Sequence, residues 1–173
     1  VAHHLSGRYK SKGSFMKSIK LMAISASVLL LLGCSNSMVN TVNNTNEKFL
    51  IEQYPYRYIL SEKAETHTSY TLEPAGSESE TIAKHSEVLL ADIFRVFKNE
   101  CGFSRSNLVG VNKVEYAPPM FYEVWTFKDV QSERADKTSS MSVILKAYAN
   151  GGGTDISYVG NCHAKPAKLV FSN

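Results

Sequence analysis

Catalytic signatures are missing from this sequence of 173 residues. It holds no G-x-S-x-G nucleophile elbow, no H-E-x-x-H zinc motif and no cysteine in a catalytic context. Its three cysteines include no C-x-x-C pair, the spacing a structural zinc site would use. Carboxylates such as Glu115 and Glu123 could assemble acid–base chemistry, but nothing in the pattern selects them over exposed strand residues. Long hydrophobic runs are missing too. The main apolar stretch, Leu21 to Leu32, has 12 residues, whereas a spanning helix needs about 20. A basic surface is also lacking. The formal charge of +3 comes from Arg8, Lys10, Lys12, Lys17 and Lys20, all within the first 33 residues; the remainder carries 14 basic against 16 acidic residues, a net of −2. That excludes nucleic acid as a partner by the usual electrostatic criterion.

What is present is an address. Lys17 and Lys20 form a short basic head, the apolar run follows, and Gly33-Cys34 closes it. A basic head, about 7–15 apolar residues and a small-residue end describe a secretory signal. The last four residues, Leu31-Leu32-Gly33-Cys34, resemble the lipobox of bacterial lipoproteins. That resemblance covers only the leader and the first mature residue. It implies a diacylglycerol thioether on Cys34, cleavage between Gly33 and Cys34, and acylation of the new N-terminus. Each buried methylene contributes about 0.8 kcal/mol and two or more chains hold stably, so the mature protein would sit on a lipid bilayer through acylated Cys34 without spanning it. Ser35, rather than Asp, follows the cysteine, which in similar lipoproteins favours the outer membrane, facing the periplasm. The expected organisation is residues 1–15 as a non-native or over-extended start and 16–33 as signal peptide. Residues 34–47 are then a lipidated cysteine with a flexible Asn-rich tether, and 48–173 a single periplasmic domain.

With Cys34 taken by lipid, Cys101 and Cys162 remain as an even pair. In an oxidising compartment they read as a disulfide closing a loop of about 60 residues. The rival is a metal site adding His163 with His85 or His67.

Along the domain, Tyr54, Tyr56 and Tyr58 alternate, which places three rings on one strand face. They suit either a binding platform or a half-buried strand with hydroxyls at its rim, and Pro55 demotes the segment to a sheet edge. Thr68 to Leu72 is a second short strand. A helix is expected from Glu78 to Glu100, opened by a Ser77/Glu80 capping box and stopped by Gly102. Its stripe is Ile82, Leu89, Ile93 and Phe97, widened by Leu90 and Phe94. Cys101 continues the stripe, which aims its thiol at the core. Further strands are expected over Leu108 to Tyr116, Phe121 to Lys128, Met141 to Ala149, Thr154 to Gly160 and Ala167 to Phe171. Asn150 to Gly153 is a hairpin turn, since a strand rather than a helix follows it.

The expected fold is α+β, one long amphipathic helix on an antiparallel sheet of four to six strands. The uncovered sheet face would carry tyrosines or Trp125. The leading function is a non-catalytic binding or assembly module for an envelope protein or secretion complex, with no cofactor. Binding of peptidoglycan or another glycan through Tyr54, Tyr56, Tyr58 and Trp125 is one alternative, and a periplasmic hydrolase or metal protein another.

Overall fold

The computed structural model describes residues 34–149 and 151–173; the start at 1–15 and the signal peptide at 16–33 lie outside them. In chain order the elements are α1 (Cys34–Ile51), β1 (Tyr56–Lys63), β2 (His67–Pro74), β3 (Ser77–Ser79), α2 (Glu87–Cys101), β4 (Leu108–Ala117), β5 (Met120–Lys128), β6 (Thr138–Ala147), β7 (Thr154–Val159) and β8 (Lys168–Ser172). Two antiparallel sheets result, one in the order β1-β2-β8 and one in the order β3-β4-β5-β6-β7. No helix among the described residues is long and apolar enough to cross a membrane.

The expected tether is a helix. Ser, Thr and Asn make the segment a weak helix former by itself, so its order has to come from packing. Asn46 supplies the clamp. Its side-chain nitrogen donates to the Tyr58 carbonyl at 2.9 Å and its oxygen accepts from the Tyr58 N–H at 2.7 Å. Three residues on, the Phe49 ring lies 4.8 Å from Tyr54 and 5.9 Å from Tyr58, centroid to centroid. Gln53 ends the helix in the left-handed region (φ 55), and the Tyr54 N–H reaches back to the Phe49 carbonyl.

The expected 23-residue helix is shorter and starts later. Ser77–Ser79 pairs with β4 as β3, so the proposed capping box does not form. Ile82–His85 is a single 3-10 turn, and the true N-cap is Ser86, whose hydroxyl accepts from the Leu89 N–H at 3.2 Å. The cause is distant. The Ile82 N–H and the Thr81 hydroxyl both donate to the Glu123 carboxylate, each at 2.7 Å, which takes them out of any helical ladder. The C-terminal reading fares better. Gly102 adopts φ 73 and its N–H caps the Lys98 carbonyl at 3.1 Å.

α2 packs on one face of the five-stranded sheet. Leu90, Ile93 and Phe97 meet Trp125, Phe127, Val143 and Leu145, with Phe97 4.7 Å from Phe127 and Phe94 5.5 Å from Trp125. Cys101, at the helix end, is bonded to Cys162 with 5.3 Å between Cα atoms. The opposite face, carrying Tyr122, Val124 and Ile144, is partly roofed by Ala75 and the chain before β1. There Tyr122 donates to the Tyr54 carbonyl at 2.9 Å and Ser142 to the Gln53 carbonyl at 2.6 Å.

The three-stranded sheet is an addition to the expected single sheet. Arg134, from the loop between β5 and β6, joins it to the rest. Its guanidinium donates to the Leu72 carbonyl at 2.6 Å, pairs with Glu73 at 3.2 Å and Asp136 at 3.1 Å, and lies 5.4 Å from the centre of the Tyr56 ring. The Tyr56 hydroxyl, in turn, accepts the Ser140 N–H at 2.7 Å.

Candidate functional site

The second face of the five-stranded sheet is only half roofed, and a groove remains between it and the end of α1. It consists of two adjoining hollows, of about 440 Å³ and about 330 Å³, which share Leu50 and Tyr122. Asn46, Glu47, Leu50 and Ile51 of α1 form one wall; Val114, Glu115 and Ala117 of β4 form the other. A bulge in β4 explains why adjacent residues share this side. The register with β5 slips between Lys113 and Glu115, so two residues oppose one and both face the groove. Tyr54, Tyr56 and Tyr122 line the larger hollow. Burial pushes all three phenols above their usual range, so they act there as neutral rings with a polar tip.

The apolar surface is unusually open. Leu50, Ile51 and Met120 are 53%, 75% and 38% exposed. Glu47 and Glu115 have no side-chain hydrogen bond or ion-pair partner among the described residues. The groove therefore offers an apolar floor, the Tyr54 ring, two free carboxylates and the Arg57 guanidinium at its rim, and its volume is that of a ligand or side-chain pocket. Its lining contains no serine, cysteine or histidine.

The residues singled out from the sequence disperse. Tyr54 and Tyr56 reach the groove, but Tyr56 is only 5% exposed, and Tyr58 stacks beneath Phe49. Trp125 is completely buried under α2, on the opposite side of the sheet. The four aromatics do not share an open face. Glu115 and Glu123 separate likewise. Glu115 looks into the groove, whereas Glu123 is buried on the α2 side and accepts from Thr81, Ile82, Tyr116 at 2.5 Å and Trp125 at 2.8 Å. Cys101 and Cys162 bond to each other; His67 lies in β2, His85 in the 3-10 turn before α2 and His163 in the loop after β7. Cys34 is the first described residue of α1.

One polar cluster leaves no trace in the sequence pattern. Asp129, 4% exposed, accepts from the Ser139 hydroxyl at 2.6 Å and the Gln131 N–H at 2.9 Å, and contacts His163 Nδ1 at 3.1 Å. Ser139 also accepts the Ala164 N–H at 2.7 Å. A nucleophile would need its serine on the histidine. Here serine and histidine both address the carboxylate, which suits a latch holding the segment after Cys162 against the loop after β5. Its members lie 10 and 34 residues apart, so no local pattern marks it.

The chain matches no family model, and no curated protein or solved structure proves significantly similar to it.

Proposed function

We propose that this chain is an acyl-anchored lipoprotein of the bacterial envelope, facing the periplasm from the outer membrane. Its domain serves as a non-catalytic docking module for an envelope protein complex. The observation that carries the reading is the path of α1: the helix, described from Cys34 onward, ends as a wall of the open groove. Eighteen residues at about 1.5 Å each span about 27 Å, so a lipid on Cys34 would hold the groove at a set height above the bilayer. The Cys101–Cys162 bond suits an oxidising compartment. Exposed aliphatic side chains gathered in one concave place, rather than scattered singly, are the usual mark of a contact surface.

The test is Cys34→Ser in the native host. The variant should lose its acyl mass, leave the membrane fraction and fail to support the assembled complex. An unlipidated variant that sustains the complex equally well from the soluble fraction would remove tethering from the function. Retention on purified peptidoglycan, lost in Tyr54→Ala, would move the assignment to a glycan binder.

A further inference from the structure

We infer that the partner enters the groove as an added β-strand on the open edge of β4, an inference that rests on the docking role proposed above. β3 pairs with Val111, Asn112 and Lys113 only, while β4 runs on to Ala117. From Val114 to Ala117 the β3 side of the strand has no backbone partner among the described residues. The chain that could have continued the ladder turns away at Gly76 (φ 86), and the Ala75 N–H goes instead to the Pro55 carbonyl at 2.9 Å. Alternate residues of this short stretch turn their N–H and C=O groups outward, unpaired groups of that kind are a template for another strand, and backbone pairing with alternate side-chain pockets is how extended peptides are recognised on sheets.

The chemistry of the occupant follows from what borders that edge. Val114, Glu115 and Ala117 line the groove beside it, and Leu50 faces them from α1. In an added strand every second side chain, about 7 Å from the next, would point into the groove. Those positions call for aliphatic or aromatic residues. Arg57 shares the larger hollow with Glu47, but the smaller hollow holds Glu115 and no cation, so its unpaired carboxylate calls for a lysine or arginine at one of them. The occupant is thus an extended, apolar–basic segment of a protein. The other edge of the same sheet, β7, borders neither hollow.

The experiment uses the lipidated protein purified in detergent and a displayed library of random 12-residue peptides. Selection should enrich sequences alternating apolar residues with at least one Lys or Arg. A synthetic peptide of the winning sequence should lose about tenfold or more in affinity when one alternate set of its backbone amides is N-methylated, and far less with the other set. Glu115→Lys should weaken the same peptide by about tenfold and Glu115→Gln by less. Glu115 is exposed, so unchanged circular dichroism of both variants checks the fold. No enrichment, equal sensitivity to both N-methyl sets, or indifference to Glu115→Lys would overturn the inference. So would displacement of a groove-bound apolar dye by muropeptide or palmitate but not by the peptide. A photocrosslinker at Ile51 in native membranes separates the two readings. Crosslinks to an envelope protein alongside a failed N-methyl test would reject strand addition and keep the docking role. No crosslink at Ile51, with a complex that ignores Cys34→Ser, would reject both.

Discussion

Replacing Glu123 by glutamine should destabilise the domain by more than its near-identical shape suggests. The carboxylate is fully buried and takes four donors, two on each oxygen: Ile82 N–H and Tyr116 O–H on one, Thr81 O–H and Trp125 Nε1–H on the other. Glutamine offers one acceptor oxygen and one NH₂. Whichever way the amide is turned, the NH₂ meets either the Ile82 or the Trp125 N–H. The hydroxyls of Tyr116 and Thr81 can rotate to accept; those two N–H groups cannot. One buried donor is therefore stranded at a cost of about 1–3 kcal/mol, and the surviving bonds lose their charge assistance. Relief from burying a charge offsets part of this, leaving an expected loss of about 2–4 kcal/mol. Glu123→Met strands both N–H groups and should cost more still.

Urea unfolding followed by fluorescence reads this directly, because Trp125 is the single tryptophan and touches the carboxylate. For a domain of this size about 3–4 °C of melting temperature accompanies each kcal/mol, so the glutamine variant should melt about 6–15 °C lower. A glutamine variant within about 0.5 kcal/mol of the parent would refute the reasoning, since it would show that no buried donor is stranded by the amide.

Gly76→Ala should lower the urea midpoint by the equivalent of about 2 kcal/mol or more, because its φ is +86° and the new Cβ would lie 2.3 Å from the Lys113 carbonyl oxygen. Reducing the Cys101–Cys162 bond, which closes a separation of 61 residues, should cost about 4 kcal/mol in the chain-entropy model, measured as the shift in urea midpoint with and without dithiothreitol. Burial works to raise the Asp129 carboxyl, but hydrogen bonds from Ser139, His163 and the Gln131 N–H outweigh it and hold the group below its usual range. A lowered folded pKa means its stabilisation is present above the ordinary carboxylate value of about 3.9 and is lost as pH falls through the folded value. Urea midpoints taken below that value should therefore fall more steeply for the parent than for Asp129→Asn.

The strands were the legible part, and the reason is local. β4, β6 and β7 announce themselves by strand-forming residues and by the glycine-rich turn, and their observed bounds (Leu108–Ala117, Thr138–Ala147, Thr154–Val159) differ from expectation by a few residues. The paired cysteines were legible by elimination, and the apolar stripe of α2 by its period. What failed were decisions taken elsewhere in the chain. Ser77 and Glu80 make a sound local capping box, but β4 recruits Ser77–Ser79 into a strand and Glu123 captures Thr81 and Ile82 from 42 and 41 residues away. Alternation by itself puts Trp125 on an open face, because it assumes that one side of a sheet is bare. In β5 both Val124 and Trp125 are fully buried, since the sheet is covered on each side there, and alternation cannot tell which side stays open.

Distant contacts decide most in the Asn-rich segment. Read alone it cannot bury enough surface to order itself, and as a free tether of that length it would let the domain wander about 20 Å from its attachment. As α1 it does something different, because residues three and four apart share a helix face. Val42 is buried, and Asn46 and Phe49 hold the helix to β1, while Glu47, Leu50 and Ile51, on the intervening positions, build the groove wall together with Asn46. The contacts that order the helix and the surface it presents are thus interleaved on one short stretch. Undocking Val42, Asn46 and Phe49 would return the segment to a tether and dismantle the groove wall in the same step. If the protein is attached at Cys34 as proposed, reach above the bilayer and the capacity to bind become a single cooperative property, set by contacts that composition could not reveal.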